Sequence, residues 1–288
     1  MWLFQMAKPA TTPIVALPRS DLSFFSDGRY TDVEFLVENG SDPPKRFKAH
    51  KMVLAMRNEV FEVMFYGNLP EQDKVIITDL HPDGFFCFLK YLYSQSANFA
   101  DIPQALYIRS AAQKYMESKL VDACDAFIKV MQPRDVCAVL NYAIEHENLT
   151  NFENEIGMHL EKSGLQVLES STFISASIET VIRVLKNPRL KVKEYEVIKC
   201  VYAWAIAHCR HENGEPSASA LRESMKPFLS ELRFLTLSSQ EFIAGPSSWN
   251  IFTESEAFSV LSNIITLGSM PFPDGVSTVT VGRVPAHL

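Results

Sequence analysis

A chain of 288 residues is long enough for two domains, each with an apolar core of its own. The composition, 47% hydrophobic and 21% charged, is typical of a globular protein and excludes long disordered stretches. A formal net charge of −7 disfavours a general binder of nucleic-acid phosphates. No run of about 18 apolar residues predicts a membrane-spanning helix. The N-terminal residues lack the basic start of a cleavable signal.

The five cysteines are widely spaced and have apolar neighbours. An odd number in such settings predicts reduced thiols in an intracellular protein, not a disulfide framework. Cys209 and His211 lie close together in the sequence, but no second pair of ligand residues occurs at a suitable spacing. We therefore predict neither a metal site nor a cofactor. The predicted location is the cytoplasm, with the nucleus as the alternative.

The first part of the chain predicts a small sheet. Residues 1–20 contain three prolines without periodicity and are predicted to be a mobile leader. Residues 33–37 alternate with a period of two, which predicts a strand with one apolar face. A turn cluster at 39–44 leads to a second strand at 46–49, and a short apolar run at 75–77 predicts a third.

Helical spacing dominates the rest of the chain. Asp101 is predicted to cap one helix, and Pro133 to begin another. Thr150 and Glu153 have the spacing of a capping box, and Gly164 is predicted to end the helix that follows. A later apolar stripe consists of Val197, Val201, Trp204 and His208.

These elements predict a sheet flanked by helices, followed by an all-helical unit. The boundary is predicted near Met131-Gln132-Pro133. A surface loop is predicted at 212–219, and an extended or mobile tail from Pro271.

Three segments in order resemble the BTB (POZ) fold from end to end: TDVEFLVENG, FKAHKMVLAMRNEVFEVMFYGNLPE and VIITDLHPDGFFCFLKYLYS. Two later segments are similar to BACK domains: FISASIETVIRVLKNPRLKVKEYEVIKCVYAWA and ESMKPFLSELRFLTLSSQEFIAG. The resemblance implies an α+β BTB/POZ domain at 21–131 and an all-α 3-box and BACK domain at 132–270. The tail at 271–288 follows them.

The phrase MFYGNLPE resembles more narrowly the BTB–BACK proteins that a PHR β-sandwich usually follows. The sequence stops about where that domain would begin, and it contains neither a Kelch period nor zinc-finger spacing. The target protein is therefore not predicted.

The resemblance implies a non-enzymatic adaptor that binds the N-terminal domain of cullin-3 and recruits targets to a cullin-RING E3 ubiquitin ligase. Its hydrophobic-x-Glu motif corresponds to Leu69-Pro70-Glu71, in which the leucine would fill a cullin pocket and the carboxylate would form a charge-assisted hydrogen bond. Met64 lies on the preceding helix and is assigned to the same surface. The alternative for the motif is a solvated turn.

The 3-box occupies residues 133–163 and is implied to widen the cullin groove. Val136 and Leu140 are the residues assigned to it. Internal packing against the following helices is an equal alternative.

BTB domains commonly form two-fold dimers, so the resemblance also implies a dimer with itself or with related BTB proteins. The interface residues assigned to this dimer are Leu22, Phe24, Phe25, Met52, Val53 and Met56. The alternative is that the first three cover the sheet of their own chain. Asp32 and Lys48 match a buried acid–base pair of BTB domains, for which a structural role is favoured over corepressor docking. His50 is predicted to be a satisfied core histidine.

The sequence also bears on functions of other classes. An enzyme is disfavoured because the sequence contains no G-x-x-x-x-G-K, G-x-S-x-G or H-E-x-x-H motif. The main rival is a dimeric protein-interaction scaffold without a ligase role, which could antagonise longer relatives through mixed dimers. A transcriptional cofactor comes third, because no DNA-binding module or basic run is present.

Overall fold

The computed structural model describes residues 22–38, 43–68, 73–146, 152–209, 211–212 and 215–284. The chain divides into two compact units. The first consists of the residues up to Asn98 together with Tyr107–Val121, and the second of Phe99–Leu106 together with Asp122 onward. This division follows the packing of the chain. It falls earlier than the domain boundary that the sequence predicts near Pro133.

The first unit is built on a three-stranded mixed sheet in the order β2-β1-β3. β1 (Val33–Val37) pairs antiparallel with β2 (Lys45–Ala49) and parallel with β3 (Lys74–Ile77). All three predicted strands are confirmed. In β1 the period-two pattern turns the apolar residues into the core. Helices surround this sheet: α1 (Leu22–Asp27), α2 (Lys51–Arg57), α3 (Glu59–Tyr66) and α4 (Pro82–Ser94). α5 (Ile102–Lys114) and α6 (Ser118–Ile128) follow them along the chain.

Aromatic rings form the core of the first unit. Phe35 of β1 meets Phe61 and Phe85 edge to face, with ring centroids 5.8 and 5.0 Å apart. Tyr115 stacks on Phe61 at 4.6 Å and on Phe88 at 5.2 Å. Burial raises the pKa of the Tyr115 phenol. One face of α3 and one face of α4 are thereby held against the sheet.

Asn58 separates α2 from α3 and fixes where α3 begins. Its side-chain oxygen accepts hydrogen bonds from the backbone N–H groups of Val60 and Phe61, while its amide donates to the carbonyl of Tyr115 at 2.8 Å. The predicted cap at Asp101 is also confirmed, since its carboxylate accepts the backbone N–H of Gln104.

The second unit is helical, apart from two very short strands. It includes the start of α5 and the part of α6 from Asp122 onward. The helices and strands that follow are α7 (Val136–Glu145), α8 (Glu153–Leu168), α9 (Ser171–Ile174), α10 (Ile178–Lys186), α11 (Glu194–His208), β4 (His211–Glu212), β5 (Glu215–Pro216), α12 (Ala218–Met225), α13 (Ser239–Ala244) and α14 (Glu254–Ile265). Val197, Val201 and Trp204 of α11 are buried, as the stripe predicted. His208 at the end of the stripe is exposed.

The start and the end of α8 differ from the sequence prediction. The helix begins at Glu153, directly after Phe152. Thr150 of the predicted capping box lies outside the described residues. It runs past Gly164 to Leu168, with one non-helical residue at Ser163. Gly164 is needed for close packing, because a Cβ atom there would lie 2.7 Å from the Cγ2 atom of Val192. The predicted loop at 212–219 contains β5, and α12 begins within it.

The tail after Pro271 is irregular, as predicted, but it is anchored in its described part. The backbone N–H of Ser277 donates to the carbonyl of Leu229 at 3.0 Å. Arg283 is buried and donates from Nε to Glu194 Oε2 at 2.9 Å, and from Nη2 to the carbonyl of Glu231 at 2.9 Å. These hydrogen bonds tie the described residues of the tail to the rest of the helical unit.

Candidate interaction surfaces

α2 presents an apolar face that the rest of the described chain leaves exposed. Met52 and Met56, one helical turn apart, are 65% and 73% exposed, while Leu54 on the opposite side is fully buried. Val53 is half-buried. The methionines assigned to a dimer interface are therefore accessible in a single chain.

Phe25 points inward and not toward a partner. Its ring lies 4.7 Å from that of Tyr93 and 5.7 Å from that of Phe86, and it is buried. The assignment of Phe25 to a dimer interface is therefore wrong for this chain, because α4 already covers the ring. Leu22 and Phe24 lie in α1, but their side chains are outside the description.

α3 also has two apolar faces. Phe61 and Phe65 are buried, whereas Val63 and Tyr66 on the other side are 69% and 59% exposed. Met64 is half-buried and only partly accessible. The outward pair was missed from the sequence, although a short helix that is apolar on both sides is a signal for a second contact surface.

The Leu69-Pro70-Glu71 motif follows the end of α3, but it lies outside the described residues. Its assignment as a cullin contact stays a prediction. The described end of α3 brings Tyr66 within three positions of the motif along the chain.

Val136 and Leu140 are not surface residues. They are 0% and 4% exposed, and both lie in α7. Cys137 and Val139 on other sides of the helix are buried as well, so α7 is enclosed on several sides. Their burial favours the alternative of internal packing, although Leu140 lines a pocket of about 380 Å³ with Glu153 and Ile156. The assignment of Val136 and Leu140 to a cullin groove stays a prediction.

Asp32 and Lys48 do not form the buried ion pair that was predicted. Both residues are exposed and line a surface pocket of about 250 Å³ with Glu34 and Asp73. The Asp32 carboxylate instead accepts the backbone N–H of Lys51 at 2.7 Å, at the start of α2. A carboxylate at this position accepts from a backbone N–H that has no partner within the helix, and its negative charge interacts favourably with the positive end of the helix dipole.

His50 has both ring nitrogens satisfied, as predicted. Nε2 lies 2.6 Å from the carbonyl of Arg29, and Nδ1 lies 2.8 Å from the hydroxyl of Tyr93. Because a carbonyl only accepts, Nε2 carries the proton and Nδ1 accepts from the tyrosine. The ring is thereby held in one tautomer and has a structural role.

The described residues offer little for covalent or metal chemistry. Within them, no group of three or more His, Cys, Asp and Glu side chains is placed to hold a metal ion. The five cysteines form no disulfide, and four are buried. Burial raises the pKa of the Cys137 thiol to about 12 and that of Cys200 to about 11, which disfavours the reactive thiolate. None of the helices in the described part is long and apolar enough to span a membrane.

Comparison with known proteins identifies the first part of the chain. The family model described as "BTB/POZ domain" matches residues 22–132. "BTB/POZ domain-containing protein 6-A" from Danio rerio is 32% identical over 260 residues, which are 86% of this chain and 46% of that protein. "BTB/POZ domain-containing protein 3" from Homo sapiens is 28% identical over 270 residues, which are 91% of this chain and 50% of that protein.

Both alignments cover much more of the chain than the BTB/POZ match, so the similarity continues into the helical unit. This chain spans about half the length of these curated relatives. A solved structure described as "BTB domain of zebrafish PATZ1" covers 38% of this chain and 86% of its own, with 24% identity and a TM-score of 0.32.

Proposed function

Given that residues 22–132 are a BTB/POZ domain, we propose that the protein is a dimeric, non-enzymatic adaptor that binds the N-terminal domain of cullin-3. BTB/POZ domains mediate dimerisation and protein–protein interaction, and the family includes cullin-3 adaptors. The helical region at 132–270 is proposed to be a BACK domain that helps to hold a target. The complex would assemble in the cytoplasm.

The exposed face of α2 supports the dimer. Met52 and Met56 point into solvent on a helix whose other side is buried, although fully burying a methionine contributes about 1.5–3 kcal/mol. In a two-fold dimer the same four methionines would be buried at once, two from each chain. This is the observation that carries the dimeric part of the proposal.

The outward face of α3 supports the cullin contact. Val63 and Tyr66 are accessible, and the helix leads directly into Leu69-Pro70-Glu71. Along the chain the motif adds an apolar residue and a carboxylate after these two side chains, and interface centres are enriched in aromatic and apolar residues. The buried side of the helix, at Phe61 and Phe65, fixes α3 so that its outer face is presented without rearrangement.

An adaptor of this kind needs no reactive group of its own. By holding the cullin on one surface and a target on another, it raises the local concentration of the target at the ligase. Two chains in a dimer would present two cullins and two targets, which increases the avidity for a multivalent target.

Calorimetry of the full chain with the cullin-3 N-terminal domain tests this proposal. We expect a dissociation constant below about 1 μM, equivalent to about −8 kcal/mol. The double variant Leu69→Asp, Glu71→Ala and the single variant Tyr66→Ala should each weaken binding. Ile76→Ala is the matched control, because Ile76 is an exposed apolar residue on β3.

Light scattering of each variant keeps the two parts of the proposal separate. A variant that loses cullin binding and stays dimeric supports the assigned surface. If the folded wild-type dimer does not bind cullin-3, the adaptor is refuted, and the protein is then a BTB–BACK interaction scaffold without a ligase role.

A further inference from the structure

A groove of about 980 Å³ lies within the helical unit. Its walls come from α7, from the segment 175–178, from the end of α11 and from α12. None of the residues assigned to the cullin contact or the dimer lines it. The volume is in the range of pockets that enclose a small ligand or a few peptide side chains.

Two carboxylates give the described lining of the groove its negative charge. Glu145 and Glu223 contribute a carboxylate each, from α7 and α12 respectively. Neither carboxylate forms a hydrogen bond or ion pair with another described residue. No lysine or arginine occurs among the described residues that line the groove.

His208 adds an acceptor to the same groove. Its Nδ1 lies 3.0 Å from the carbonyl of Trp204, so Nδ1 carries the proton. In the neutral imidazole Nε2 is therefore an acceptor, and it has no hydrogen-bond partner among the described residues. The described lining thus combines two carboxylates and an imidazole acceptor with neutral donors, the serine hydroxyls and the Asn141 amide.

The aromatic part of the groove is held in place. The rings of His208 and Trp204 stack at 4.0 Å with an interplanar angle of 12°, and the indole N–H of Trp204 donates to the carbonyl of Ala176 at 2.9 Å. Asn141 also lines the groove, and its side-chain oxygen accepts from both the backbone N–H and the hydroxyl of Ser177 at 3.3 Å. The groove is therefore preformed.

We propose that this groove binds an arginine side chain presented by a peptide segment of the target protein. A guanidinium is flat enough to lie against a stacked aromatic pair, and it offers five N–H donors to carboxylates and to an imidazole nitrogen. A lysine ammonium carries the same charge, but it is not planar and cannot donate two parallel hydrogen bonds to one carboxylate. This inference rests on the proposed adaptor function and supplies the class of target segment that the helical unit selects.

Titration of the full chain with the pentapeptide amide acetyl-Gly-Ser-Arg-Ser-Gly, followed by the ¹⁵N-indole NMR signals, tests the proposal. The sequence contains three tryptophans, so Trp2→Phe and Trp249→Phe assign the Trp204 signal by elimination. We expect a saturable shift of the Trp204 signal. Peptides with lysine or with uncharged citrulline in place of arginine should bind at least fivefold more weakly.

The double variant Glu145→Gln, Glu223→Gln should bind the arginine peptide about tenfold or more weakly than the wild-type chain, since each carboxylate would form a charge-assisted hydrogen bond with the guanidinium. Both side chains are exposed, so the substitutions should not affect folding. Glu254→Gln is the matched control, because Glu254 is exposed in the same unit and does not line the groove.

Three results of the peptide titrations would overturn the proposal: no saturable shift of the Trp204 signal, equal binding of the lysine peptide, or an unchanged affinity of the double variant for the arginine peptide. The double variant must also retain the wild-type affinity for cullin-3. Loss of that affinity would assign the groove to the cullin and overturn the arginine-binding role. Failure of the wild-type chain to bind cullin-3 refutes the adaptor alone and leaves the titration result unaffected.

Discussion

Arg283 offers the sharpest test of how the tail contributes to the stability of the helical unit. The Arg283 and Glu194 side chains are each 3% exposed, and Glu194 also accepts the backbone N–H of Arg233 at 2.9 Å. Arg283 further donates to the carbonyls of Leu185 and Glu231. Burial lowers the pKa of the guanidinium, while Glu194 raises it. The charged arginine is therefore tolerated because of its partner.

The substitution Arg283→Met should lower the free energy of unfolding of the helical unit by about 3–5 kcal/mol, because it leaves the Glu194 carboxylate buried without its ion-pair partner. Adding Glu194→Gln to this variant should recover a large part of the loss, since the remaining side chain is neutral and can still accept from Arg233. Urea unfolding followed by circular dichroism measures these differences.

Lys199→Met is the matched control for the buried pair. Lys199 forms a 3.4 Å ion pair with Glu196 on the same helix as Glu194, but its side chain is 58% exposed. Its loss should cost less than about 0.5 kcal/mol. A cost below about 1 kcal/mol for Arg283→Met would refute the reasoning, because a buried charge cannot lose its partner so cheaply.

Three further predictions concern the first unit. The double variant Met52→Glu, Met56→Glu should be monomeric by light scattering, since four glutamates would replace the apolar contact; a dimer of unchanged affinity would place the interface elsewhere. Gly84→Ala should lower the melting temperature, at a cost of about 1–3 kcal/mol, because its Cβ atom would lie 2.6 Å from backbone atoms of α5; an unchanged melting temperature contradicts this packing. A hydrogen bond from Lys45 at 2.8 Å lowers the pKa of Asp83 below its usual 3.8, so Lys45→Ala should reduce stability at neutral pH. That difference should disappear as the pH falls through the folded-state pKa, and it should not exceed about 0.5 kcal/mol because both groups are largely exposed; a larger difference in urea midpoints, or one that persists in acid, would contradict the assignment.

Local patterns predicted the elements of this fold well. The period-two alternation at 33–37 turns one side of β1 inward, and the carboxylate of Asp101 caps the helix that follows it. Both effects act over a few residues. Gly164 shows where such reasoning fails, because its role depends on Val192, which is distant in sequence.

The interaction surfaces were harder to predict because an apolar residue does not reveal which neighbour covers it. Phe25 and Val136 are covered by their own chain, whereas Met52 is exposed in the described part of it, although all three occur in similar apolar runs. Asp32 was paired with Lys48 by resemblance, but its carboxylate caps α2 in this chain. No local pattern predicts an ion pair between residues as far apart along the chain as Glu194 and Arg283.

The mass of the complex with the cullin-3 N-terminal domain tests the central claim most directly. Sedimentation velocity of the wild-type chain with excess cullin domain should give one particle with two chains, each of 32.5 kDa, and two cullin domains. The Leu69→Asp, Glu71→Ala variant should sediment as a dimer without cullin. If the wild-type chain sediments apart from the cullin domain at micromolar concentrations, it is not a cullin-3 adaptor.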